Sequence, residues 1–70
     1  MAEHFPERLK MLREKQGRSR YVVSELCGLS PDVIRRYENG EIKPSYDALL
    51  ALADYFEVSV DYLIGRTDAK

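Results

Sequence analysis

The chain has 70 residues, of which 44% are hydrophobic, and a formal net charge of −1. That length supports one small domain, near the size at which a single core only just outweighs the entropy lost on folding, and excludes a second. One cysteine, Cys27, excludes an internal disulfide, and no apolar run approaches the ~20 residues of a membrane span or the form of a signal peptide; the expectation is a soluble, cytoplasmic protein.

Apolar residues recur at helical spacing almost throughout, and no segment alternates over a strand's length. Pro6 suits a first helical turn and Gly17 a C-terminal stop, which predicts helix 1 over roughly 6–16. Ser19 is a natural cap for helix 2, because its hydroxyl can accept from an unpaired N–H of the first turn, and Gly28 ends it. Helix 3 opens with Ser30 as its cap and Pro31 at a position that loses no hydrogen bond. Asp32 meets the positive end of the helix dipole, and Leu29 is placed to staple against Ile34. Asn39-Gly40 ends helix 3. Pro44-Ser45 opens helix 4, which runs to about Glu57; Ser59 caps a short helix 5 that stops before Gly65, with Val58 placed against Leu63. Residues 1–65 therefore read as one all-α, compact five-helix bundle, with 66–70 as a C-terminal tail.

The link from helix 2 to helix 3, Cys27-Gly28-Leu29-Ser30, is the informative one. A turn so short, with a glycine in it, makes two helices cross steeply, as in a helix-turn-helix whose second helix enters a DNA major groove. The overall acidity argues against a nucleic-acid partner, but the charge is polarised. Residues 13–43 carry seven Arg or Lys against five acids, whereas 44–70 carry five acids against two bases.

On these residues the chain resembles the Cro and lambda-repressor-like (XRE-type) helix-turn-helix domains. The resemblance is carried by RLKMLRE (8–14), Gly17 with Ser19, CGLS (27–30), IRRYENG (34–40), Pro44-Ser45 and LADYFEVSVDYLIG (52–65). It implies a lambda-repressor-like bundle that binds double-stranded operator DNA as a homodimer, with helix 2 across the backbone and helix 3 in the major groove. By position it assigns base contacts to Pro31, Asp32, Val33, Arg35 and Arg36. Phosphate contacts fall to Ser19, Arg20, Asn39 and Lys43, and the free N–H groups of a helix start suit phosphate near Ser19 and Arg20. A structural ion pair between Arg13 and Glu38 and a dimer interface near Tyr62, Leu63 and Ile64 complete the set.

The chain departs from the family pattern in three places. Arg20 stands where glutamine is usual, which adds phosphate affinity. Tyr21-Val22 replaces an acidic first turn and removes a capping-box glutamate, leaving apolar side chains partly exposed. At the tip of helix 3, Pro31 donates nothing and Asp32 repels phosphate.

Each chemical reading has a plainer one beside it. Arg35 and Arg36 suit bidentate contact to guanine, against a solvated helix face, and Arg35 alternatively reaches phosphate. Asp32 accepts from a cytosine amino group or only stabilises the helix start. Val33 meets a thymine methyl or half fills a gap. Tyr37, Leu49, Leu52 and Phe56 read as core, Cys27 as a buried thiol, and His4 stands without a metal-ligand partner. With no Ser/His/Asp set, phosphate loop or paired carboxylates, the expectation is no enzyme and no cofactor. The favoured function is a DNA-binding transcriptional repressor of bacterial or phage type, nucleoid-associated in the cytoplasm. The rival is an antitoxin-like or accessory module that binds a protein partner through Tyr21 and Val22.

Overall fold

The computed structural model describes residues 4–70; the first three residues of the 1–65 unit lie outside the described residues. Five helices follow in chain order: α1 (Phe5–Gln16), α2 (Arg20–Leu26), α3 (Val33–Glu38), α4 (Tyr46–Phe56) and α5 (Val60–Leu63). There is no strand among the described residues.

Serine chemistry sets three of the starts. Ser19, Ser45 and Ser59 are extended, and their hydroxyls accept from the N–H groups of Val22, Ala48 and Tyr62 at 3.2, 3.1 and 3.0 Å. Gly17 ends α1 in the left-handed region at φ 69°, its N–H donating to the Glu14 carbonyl. The same left-handed end closes α4 at Glu57, φ 58°, where the side chain adds a steric cost of about 1 kcal/mol.

The start of α3 differs from expectation. Ser30 is not its side-chain cap: Pro31 and Asp32 form a turn in which the Val33 N–H donates to the Ser30 carbonyl at 3.2 Å, and the helix begins at Val33. Asp32 occupies the cap position without a capping hydrogen bond, because its carboxylate is engaged elsewhere.

One core joins all five helices. Leu9, Val23, Ile34, Leu52 and Leu63 have no exposed surface, and full burial of each such side chain contributes about 1.5–3 kcal/mol. Tyr37 is buried, while Leu49, Phe56, Leu29 and Cys27 are half-buried against the cluster. Desolvation pushes the Cys27 thiol and the Tyr37 phenol above their ordinary pKa values.

Two features mark the C-terminal end. Tyr62 and Leu63 are only 7% and 0% exposed within the protomer, and Ile64 is half-buried. Residues 66–70 fold back rather than trail. The Arg8 guanidinium lies 4.1 Å over the Tyr62 ring and donates to the carbonyls of Tyr62 and Thr67 and to Asp68; the Ser59 N–H donates to the Lys70 carbonyl. At the same end Gly65 has φ +85°, and a Cβ there would lie 2.3 Å from that of His4.

Candidate nucleic-acid interface

The turn between α2 and α3 is built from backbone. Gly28 adopts φ +71°, a region that an L side chain resists, and lets the chain reverse so that the Leu29 N–H reaches the Ser24 carbonyl at 2.8 Å. Ser24 is fully buried, and α2 packs directly on α3.

α3 is only six residues long, too short to hold its own shape in water, so its orientation comes from its neighbours. Ile34 enters the core. Tyr37 is buried with its ring edge-on to Phe5, 5.6 Å between centroids. At the last turn, Arg13 of α1 holds Glu38 with two parallel bonds, Nε to Oε2 at 2.6 Å and Nη2 to Oε1 at 3.1 Å. The two side chains are 13% and 3% exposed, so this pair is largely removed from water. Hydrogen bonding to the Glu38 carboxylate, opposed in part by burial, raises the Arg13 pKa.

The opposite face of α3 is outward. Pro31, Asp32 and Arg36 are exposed, Arg35 is intermediate, and Val33 is half-buried against the core, which favours its plainer role as a filler. Arg35 is tethered: Nε and Nη2 donate to the two Asp32 oxygens at 2.8 and 2.7 Å, and Nη1 donates to Glu41 at 3.2 Å. This hydrogen bonding holds the Asp32 carboxyl below its usual range and raises the Arg35 guanidinium; Arg36 and Arg20 add weaker attraction to Asp32. The start of α2 thus contributes charge to the same surface as α3. Arg36 is less constrained, its Nε 3.7 Å from Glu41 Oε1.

Among the residues expected at phosphates, Ser19 and Arg20 are exposed at the start of α2, and Lys43 is exposed in the link to α4. Neither Arg20 nor Lys43 pairs with an acid among the described residues. Asn39 is exposed, and its Nδ2 donates to Glu41 at 3.3 Å. Tyr21 and Leu26 are 55% and 53% exposed on α2, and Val22 is half-buried. Sequence reasoning missed two organising residues, Glu41 and Arg8. Glu41 reaches its partners by turning back past the helix end, where no fixed spacing applies.

A sequence model of the helix-turn-helix family matches residues 9–63, and the chain belongs to that family. It is 38% identical over 64 residues to the HTH-type transcriptional regulator AnsR of Bacillus subtilis, covering 91% of this chain and 55% of the relative. It is 33% identical over 60 residues to the cryptic phage CTXphi transcriptional repressor RstR of Vibrio cholerae, covering 86% and 54%. The chain spans about half the length of these curated relatives. Among solved structures, it is similar to the P22 c2 repressor in complex with a synthetic operator, with a TM-score of 0.83, 28% identity and coverage of 90% of this chain and 96% of that one. The all-α, five-helix architecture is that of this repressor domain.

Proposed function

We propose that this domain is a sequence-specific DNA-binding module of a transcriptional repressor, acting on duplex DNA rather than as an enzyme. The observation that carries the proposal is the likeness to a repressor solved on its operator, combined with an outward α3 bearing Arg35 and Arg36. Two copies seat their α3 helices in successive major grooves, about 34–36 Å apart, and occlude a promoter. Arg36, exposed and weakly held, reads a guanine; Arg35 sits in a fixed fork with Asp32. Arg20, Ser19, Asn39 and Lys43 engage phosphates and set register, and Ile64 contributes to the contact between copies.

A randomised duplex library selected at moderate salt tests this reading, the expected product being a two-fold symmetric motif. Arg36→Ala should relax preference at one position of each half-site, a loss of about 1–3 kcal/mol of discrimination. Arg20→Ala should weaken all duplexes alike and reduce the salt slope by about 1. Equal weakening on every sequence by Arg36→Ala would refute its base-reading role. A second reading, docking of a protein partner, is favoured by the apolar exposure of Tyr21 and Leu26; absence of any enriched motif would turn the assignment toward it.

A further inference from the structure

Three of the polar groups on the outward side of α3 converge on a single carboxylate. Glu41 Oε2 accepts from Arg35 Nη1 at 3.2 Å and from Asn39 Nδ2 at 3.3 Å, and Oε1 lies 3.7 Å from Arg36 Nε. The convergence is built into the backbone. Gly40 takes φ +73°, and the Glu41 N–H donates to the Arg36 carbonyl at 2.9 Å, which fixes residue 41 against the last turn of α3. Its side chain then lies back over the arginines five and six residues behind it.

A guanidinium and a side-chain amide that donate to one anion, with a second guanidinium nearby, form a donor set that a phosphate diester takes. We infer that Glu41 is an intramolecular stand-in for a DNA backbone phosphate, held on Arg35 and Asn39 until duplex displaces it, while Arg36, 3.7 Å away and not hydrogen-bonded to it, stays available to a base edge. The inference rests on the DNA-binding reading above and adds to it a residue that sets affinity without reading sequence. Glu41, Arg35 and Arg36 are 44%, 40% and 46% exposed. Exposed pairs of this kind are weak and screened by salt, so the carboxylate yields to a phosphate rather than blocking it. The carboxylate therefore lowers affinity for every duplex by a similar factor. It lies opposite in effect to Arg20, which makes no ion pair with an acid among the described residues.

The test compares the unaltered chain, Glu41→Gln and Glu57→Gln on a selected duplex and on a random one across a salt series. Glu57 lies outside the cluster and supplies the same change in net charge. The expected result is that Glu41→Gln binds both duplexes about two- to fivefold more tightly at ~0.1 M salt, with their affinity ratio unchanged. Its slope of log K against log salt should steepen by up to about 0.9, because in the unaltered chain the displaced carboxylate takes up a cation as the phosphate replaces it, while Glu57→Gln leaves the slope unaltered. An unchanged slope and affinity in Glu41→Gln, while the unaltered chain binds, would overturn the stand-in role and leave the DNA reading intact. So would an effect confined to one sequence, or an equal effect from Glu57→Gln. If no form binds duplex, the DNA reading fails and this inference fails with it.

Discussion

Removing one partner of the Arg13–Glu38 pair should cost far more than an ordinary surface ion pair. In Arg13→Met, the Glu38 carboxylate, 3% exposed, loses both guanidinium bonds and is left desolvated against α1. Breaking a buried pair in this way costs about 3–5 kcal/mol, where an exposed pair is worth about 0.2–1 kcal/mol. The 13% exposure of Arg13 admits some water, which favours the lower end, about 3 kcal/mol. For a domain of this length that is roughly 12 °C or more in Tm, and a large part of a total stability of about 5 kcal/mol. Urea unfolding followed by circular dichroism measures it, with a matched loss expected in the midpoint and no change in the m value. Where Arg13→Met is too unstable to measure, the double variant Arg13→Met/Glu38→Leu decides. Replacing both charges by apolar groups of similar size should recover most of the loss. A cost below about 1 kcal/mol for Arg13→Met, or a double variant no more stable than the single, would refute a buried, coupled pair.

The remaining expectations concern a cap and the alkaline limb. Ser19→Ala removes the acceptor for the Val22 N–H and should lower stability by about 1 kcal/mol, measured by urea titration, while Ser19→Asn should retain most of it. Burial holds the Cys27 and Tyr37 groups protonated in the folded chain above their ordinary values of 9.0 and 10.0. The folded state therefore binds more protons than the unfolded one in that range, so stability is full below pH 9 and falls as pH rises through the folded values. Thermal melts from pH 7 to 11 should decline from about pH 9 onward, and Cys27→Ala should shift the onset of the decline upward.

What was legible from the sequence was mostly local. Serine caps at 19, 45 and 59 act over three residues and need no tertiary knowledge, so the starts of α2, α4 and α5 followed from them. Ser30 has the same local chemistry, yet Pro31-Asp32 turns before α3 begins, and a side-chain cap gives way to a backbone turn. The family resemblance placed Tyr62 and Leu63 at a dimer interface, and nothing local in the sequence says how much of their cover comes from the same chain. Arg8 and the returning tail supply part of it. Asp32 and Arg35 stand three apart, a spacing from which their pairing is readable, although the helix dipole seemed explanation enough for the acid. Glu41 had no such signal. Its partners lie across a chain reversal, and only the three-dimensional path of Gly40 brings them together.

The division of α3 between its two sides has a consequence for how such a domain diversifies. Ile34, Tyr37 and Glu38 anchor the helix, whereas Asp32, Arg35 and Arg36 face outward and bury little. Exchanges at the outward positions cost little stability, since substitutions away from core and buried networks usually fall within about 0.5 kcal/mol. Under the proposed function, the address that α3 reads is thus separable from the scaffold that presents it. A duplicated copy can drift toward a new operator one exposed residue at a time without passing through an unfolded intermediate.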